Sequence, residues 1–316
     1  MKVHSADNMQ SYRTRYCSPA FGYNFMTHKV ITQKAMRHVP DLKFAVQKAM
    51  KDETYAQKLL HKLSIVDIVR EFNKQKKTYK KLLNTHALHN VGFDMLLAAK
   101  KKKPMTSAEK FLEEITNGSM MPDLLRSEIG FGTNSHFYFL PDGRHVSESF
   151  GLHHSRNNAF VSFLKHISNA EKLKNSPNIP QELGMALHFM QDVTVPMHTQ
   201  RANIKIFKNS PVLGKIVDFM MHSKFENNRK IGMVSRHKEL LKSYKPGYEK
   251  LRASLPENYT LEDIFMSNVR FSTNPDLQIA RNNKDKWTQI QQTIFNRAVD
   301  STVLMLEKIA ELLQSH

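Results

Sequence analysis

The chain has 316 residues, of which 40% are hydrophobic and 24% charged, with 11 Gly and 12 Pro; this is the composition of a globular protein of one or two domains, and it excludes a disordered tail or a collagenous rod. No run approaches the roughly 18 apolar residues of a membrane span, and the opening MKVHSADNMQSYRTRYCSPAF lacks the apolar middle of a signal peptide, so any membrane contact is expected to be peripheral. A single Cys excludes internal disulfides and thiolate zinc sites, leaving 16 His with Asp and Glu as metal donors, and the net charge of +18 predicts attraction to nucleic acid, anionic lipid headgroups or phosphate esters.

In chain order, the stretch from Asp41 to Lys103 holds 15 basic and 6 acidic residues, half of the excess charge in a fifth of the chain. It includes Lys76, Lys77, Lys80, Lys81 and the run Lys100 to Lys103, and reads either as a solvated helical face plus a loop or as a surface for polyanions. Thr106 to Glu109 has the pattern of a capping box. Phe111, Leu112 and Ile115 follow at helical spacing, and Asn117 with Gly118 supplies a stop, so a short helix is predicted just before Pro122 and Asp123. Glycines and prolines then punctuate Gly118 to Ser155, a loop-rich region. His136 to Leu140 offers only a brief strand pattern. The last segment shows the clearest period: Ile290, Ile294, Ala298, Thr302, Leu306, Ile309 and Leu313 recur at three or four residues and predict a long core helix. The fold class is expected to be all-α.

His188 and Asp192 are four apart, as are His222 and Glu226, and on a helix each pair projects from one face, suited to holding one ion. Two such pairs are about what chance provides at this His and acid content. The surrounding string LGMALHFMQDVTVPMH carries more: a helix bears His188 and Asp192, Pro196 stops it, and His198 follows at the turn.

The segment Gly184 to His198, the loop Ser135-His136-Phe137-Tyr138 with Pro141-Asp142-Gly143, and Thr27-His28 with Ile31-Thr32-Gln33 resemble the bacterial zinc-dependent phospholipase C family, distantly related to the single-strand-specific zinc nucleases. The motifs follow the family's order from His28 to Glu226; the most specific is H-x3-D-x5-H with Pro two before the last His. The resemblance implies an all-α domain over residues 1–316, with the basic stretch at about 41–104 as a helical insertion. It implies a site of two or three zinc ions: Asp123, His136, His188 and Asp192 on the first, His198, His222 and Glu226 on the second, and His28 with the bridging Asp192 on the third. In the family an N-terminal Trp completes the third ion. Here the only Trp is Trp287 and 27 residues precede His28, so that position is expected to be weaker and completed by an oxygen from Asn24 or from backbone near Phe25. Export from the producing cell is also implied, although no ordinary signal is visible.

The chemistry follows from the donors as well. Nitrogen and oxygen ligands suit zinc, which lowers the pKa of its water toward about 7, and clustered ions orient in-line attack on a phosphodiester. Asp123, in a Gly- and Pro-bounded loop, is expected to serve as ligand and general base, or as ligand alone. His86, His89, His145, His153 and His154 are expected to be surface or hydrogen-bonded residues rather than ligands. Ile204 to Met221, apolar with interspersed Lys, reads either as a lipid-touching border of the headgroup pocket or as a core helix that delivers His222. A phospholipase C acting on phospholipid at an anionic membrane surface is the expected function. A zinc nuclease would need a base-stacking aromatic, for which Phe137 and Tyr138 are candidates, and a non-catalytic lipid-binding relative would have no use for eight metal-compatible side chains.

Overall fold

The structure, a computed structural model, describes residues 25–50, 106–124, 136–138, 158–173, 178–200, 210–228, 231–278 and 285–314. Twelve α-helices account for most of them: α1 (Phe25–Met36), α2 (Pro40–Ala49), α3 (Ser107–Gly118), α4 (Met121–Leu124), α5 (Ala159–Lys172), α6 (Ile179–Asp192), α7 (Pro196–Thr199), α8 (Pro211–Asn227), α9 (His237–Ser243), α10 (Tyr248–Ala253), α11 (Leu261–Ser272) and α12 (Trp287–Gln314). There is no strand among the described residues, and the all-α expectation holds. No described helix is long and apolar enough to cross a membrane. Of the basic stretch at 41–104, only its start is described, within α2; Lys100 to Lys103 and His86, His89, His145, His153 and His154 lie outside the described residues.

Two helices form the centre. From Leu183 to Asp192 every residue of α6 is buried, and α12 is buried all round from Ala298 to Leu306. A helix enclosed on every side must be covered by others. Accordingly α6 packs against α3 and α5, and α12 against α1, α2, α10 and α11. In α1 the buried residues Thr27, His28, Ile31, Thr32 and Ala35 recur every three or four positions, so its polar His and Thr side chains share the apolar face and point inward.

The ends of the helices are set by local chemistry. Thr106 and Glu109 form the expected capping box, and Thr260 with Asp263 forms a second one at α11. Gly118 does not act as a stop in the left-handed conformation: it is the last residue of α3, and the cap Ser119 is right-handed, with φ −65° and ψ −17°. Its role is close approach. A Cβ on Gly118 would lie 2.5 Å from the Gln181 carbonyl oxygen, and one on Gly184 would lie 2.2 Å from the Ile115 carbonyl oxygen. Thus α3 and α6 touch backbone to backbone where two glycines face each other, one turn before His188. Pro196 likewise differs from expectation, because α6 has already ended at Asp192 and Pro196 opens α7. Proline at a first helical position sacrifices no hydrogen bond, and Val195 before it is extended, at φ −84° and ψ 121°.

Two outcomes follow from this packing. Gly184→Ala should cost about 1–3 kcal/mol through overpacking, read as a lower urea midpoint, because backbone rather than a flexible side chain must give way. His237, half-buried at the start of α9 with Nε2 2.8 Å from Thr27 Oγ1, is lowered to about 4 by burial. The unfolded chain binds a proton near pH 6.5 that the folded chain refuses until about pH 4, so stability falls as pH drops through that window. The urea midpoint of His237→Gln should fall less steeply between pH 6.5 and 4 than that of the wild type.

Candidate metal centre

All eight side chains singled out in the sequence lie in three groups whose donor atoms are within 4.8 Å of one another: His28, Asp123 and His188; His136, His188 and Asp192; and His198, His222 and Glu226. Six pieces of backbone deliver them. His28 comes from α1, Asp123 from α4, His188 and Asp192 from α6, His198 from α7, and His222 with Glu226 from α8. His136 opens a short segment held by two backbone hydrogen bonds, from the Tyr138 N–H to the His198 carbonyl and from the Ala159 N–H to the Phe137 carbonyl.

The grouping differs in one respect from the expected partition. Asp123 gathers with His28 and His188, and the His28 Nε2 lies 3.7 Å from Asp123 Oδ2 and 3.3 Å from Asp192 Oδ1. Asp192 does face two ways. Its Oδ2 lies 2.6 Å from His136 Nδ1 and 3.2 Å from His188 Nε2, opposite the Oδ1 that faces His28. In the remaining group, His222 Nε2 is 3.0 Å and His198 Nε2 3.7 Å from Glu226 Oε1, with the two imidazole nitrogens 3.1 Å apart.

Hydrogen bonds behind the rings fix their tautomers. His188 Nδ1 donates to the Ser119 carbonyl at 2.9 Å, and His198 Nδ1 donates to the His136 carbonyl at 2.6 Å. A carbonyl oxygen can only accept, so both protons sit on Nδ1 and both Nε2 atoms turn into the cluster. There His188 Nε2 meets Asp192 and His136, while His198 Nε2 meets Glu226 and His222. A lone pair facing a carboxylate is repulsive unless a positive charge lies between them. That charge is either a proton or a metal ion.

The spacing suits the metal. An ion bound at about 2.0–2.1 Å by tetrahedral nitrogen and oxygen donors places them about 3.3 Å apart; separations of 3.0 to 3.7 Å bracket that value, while His136 Nδ1 and Asp192 Oδ2, 2.6 Å apart, stand at hydrogen-bond distance. Burial opposes ionisation of Asp192, but His188, His136 and His198 outweigh it and hold the carboxyl well below the usual carboxylate range, so it stays negative. These buried groups can hold metal ions, and the donors are imidazole and carboxylate, as zinc accepts.

Sequence reasoning missed the residues behind the donors. Ser119 and His136 act through backbone carbonyls, which leave no sequence signature. Glu182 Oε2 accepts from His166 Nδ1 at 2.7 Å, and the His166 ring stacks 5.7 Å from Phe189, which in turn meets His136 and His188. Phe137 stacks on His198 at 4.8 Å and meets the edge of His222. The strand pattern at His136 to Leu140 is absent from its described part, 136–138; Phe139 and Leu140 lie outside the described residues, as does Asn24.

Compared with protein-family models, with curated proteins and with solved structures, the chain matches none. What the geometry defines is an all-α protein with a buried cluster of five His and three carboxylates placed to hold metal.

Because Asp192 stands in the middle of the cluster and His28 at its edge, Asp192→Asn should lower zinc content per chain, measured by atomic emission, by more than His28→Ala does. Equal losses would mean that Asp192 serves a single ion. Zinc at a thousand times its dissociation constant should stabilise the fold by about 4 kcal/mol, read as a rise in melting temperature that a chelator reverses.

Proposed function

We propose that the protein is a zinc-dependent phosphodiester hydrolase of the phospholipase C type, cleaving glycerophospholipids to diacylglycerol and a phosphorylated headgroup. The observation that carries this reading is the gathering of eight His, Asp and Glu donors in three buried groups, two of which share His188, with tautomers set so that the Nε2 atoms of His188 and His198 point at carboxylates. It rests also on the resemblance of the His188 to His198 motif to that family. His28, Asp123, His136, His188 and Asp192 would hold one or two zinc ions, and His198, His222 and Glu226 another. Bound zinc supplies Lewis acidity: it acidifies water and withdraws charge from phosphoryl oxygens.

The protein's own side chains supply the rest. Asp192, kept ionised, balances positive charge at the centre of the cluster. Asp123, with a side chain 2% exposed, places its carboxylate beside His28 and at the cluster's edge, where it can orient the attacking water and take its proton on an Oδ atom. Water oxygen would then bond to phosphorus, the bond from phosphorus to the glycerol oxygen would break, and the departing alkoxide would take up the proton that Asp123 accepted from the water. Removal of the Asp123 carboxylate therefore affects both donor set and proton transfer.

Two features favour lipid over nucleic acid. On α8, the helix that carries His222 and Glu226, Leu213 and Met220 are 44% and 46% exposed and lie seven residues apart on one side, while Val217 and Met221 are buried. The helix thus both delivers His222 and offers apolar side chains outward, as a lipid-facing element does. Phe137, a candidate for stacking on a base, is only 5% exposed and is already stacked on His198.

Zinc-loaded protein incubated with mixed phospholipid vesicles should release diacylglycerol, lose that activity in a chelator, and leave single-stranded DNA uncut. Asp123→Asn should lower turnover by about 100- to 10,000-fold. Cleavage of DNA with intact vesicles would replace this reading by a nuclease, and zinc binding with neither reaction would replace it by a non-catalytic binder.

A further inference from the structure

Next to Asp192 in α6 is a polar residue hydrogen-bonded to one imidazole of the cluster, that of His28. Gln191 is wholly buried, an arrangement that burdens a core unless each of its polar atoms is satisfied. Its Oε1 lies 2.8 Å from His28 Nδ1, and its Nε2 lies 3.1 Å from Thr32 Oγ1 and 3.1 Å from Thr302 Oγ1. We infer that Gln191 is a positioning residue that locks His28 into the tautomer protonated on Nδ1, so that His28 Nε2 is presented to Asp192 and Asp123 as a donor atom. The inference rests on the reading of the cluster as a metal centre.

The direction of each hydrogen bond can be traced from the far end. Thr302 Oγ1 lies 2.7 Å from the Ala298 carbonyl, to which it must give its single proton. It can therefore only accept from Gln191. The group facing Thr302 is thus the amide nitrogen, and its second hydrogen goes to Thr32. The amide oxygen is left for His28, and an amide oxygen has no proton to offer, so His28 Nδ1 donates. If the amide were reversed, its oxygen would face the lone pairs of Thr302, whose proton is held by the Ala298 carbonyl. The orientation of one side chain on α6 is in this way dictated by a hydroxyl on α12 and transmitted to a ring on α1.

This buttress differs in kind from those of His188 and His198. Their Nδ1 protons go to backbone carbonyls, which any side chain at those positions would supply. His28 depends on a side chain, and its tautomer can be altered by a single substitution. Outer partners that orient a ligating imidazole are worth about 10- to 100-fold in metal affinity when removed. His28 is the donor from α1 in its group, with His188 and Asp123 contributed by α6 and α4. The effect should be confined to the ion that uses His28.

The test reads the His28 ring in the metal-free protein with ¹⁵N-labelled His, its signals assigned by their loss in His28→Ala. At a pH alkaline enough for the ring to be neutral, wild type should show one tautomer, protonated on Nδ1. Gln191→Met, similar in length but unable to accept, should show a mixture of tautomers, and Gln191→Glu, which keeps an acceptor oxygen, should restore the single tautomer. In zinc titrations Gln191→Met should weaken the His28-dependent uptake by about 10- to 100-fold while uptake dependent on His198, His222 and Glu226 is unchanged. A single Nδ1-protonated tautomer persisting in Gln191→Met overturns the inference. Should that variant fail to fold, Thr302→Val decides it, since losing the hydroxyl that orients the amide should allow a second His28 tautomer, and its absence overturns the inference. Wild-type protein that takes up no zinc would overturn the metal-centre reading instead, leaving the tautomer measurement to decide the role of Gln191.

Discussion

A fully buried carboxylate at the end of a helix governs the arrangement of this protein. Asp192 is the last residue of α6, where the exposed carbonyls of the helix make a negative charge unfavourable, and it has no contact with solvent. Burial and helix end both oppose its ionisation; the imidazoles of His188, His136 and His198 overcome them, the first two at 3.2 and 2.6 Å. A charge so placed cannot be left without compensation, because an uncompensated ion in a protein interior costs several kcal/mol. The positions of α1, the His136 segment and the first turn of chain beyond α3 are therefore tied to Asp192, since they bring His28, His136 and the Ser119 carbonyl that orients His188.

Placing all the donors but His136 on helices gives the cluster its definition. The α3–α6 crossing at Gly118 and Gly184 sets the height at which His188 enters, through backbone contact that leaves almost no freedom of sliding. Farther along, α7 and α8 bring His198 and His222 to Glu226, with Phe137 filling the space against both rings. Rings held by packing on one side and by a carbonyl on the other keep their rotamers and their tautomers. Such a site spends little conformational entropy when it takes up an ion, because its donors are already ordered.

The same construction explains why the polar residues around the cluster are so numerous in an otherwise apolar interior. Thr32, Gln191 and Thr302 form a chain of hydrogen bonds between three helices, and His166 with Glu182 braces Phe189 from the other side. Thr32, Gln191 and Thr302 are buried with their side-chain polar atoms engaged, as a low-dielectric interior demands. The proposed hydrolase activity would use this rigidity: carboxylates fixed in place exclude the reorganisation that water would otherwise require.

The sequence by itself determined the all-α class, the long terminal helix from its repeat of Ile290, Ile294, Ala298 and Leu306, and the capping box at Thr106, because these depend on period and on contacts within four residues. Local spacing supplied only the pairs His188–Asp192 and His222–Glu226 and the nearby His198, whereas His28, Asp123 and His136 were named through the family resemblance of their motifs. Three things were decided only in the tertiary structure. Gly118 reads locally as a helix stop, but its neighbour across space, Gly184, makes it a crossing point. Pro196 reads as the end of α6, but the helix stops at Asp192 and Pro196 starts another. The grouping of Asp123 with His28, and the Gln191 bridge to Thr302, join residues 95 and 111 positions apart. Distances of that kind follow from how helices pack, a property of the whole core that no window of sequence contains.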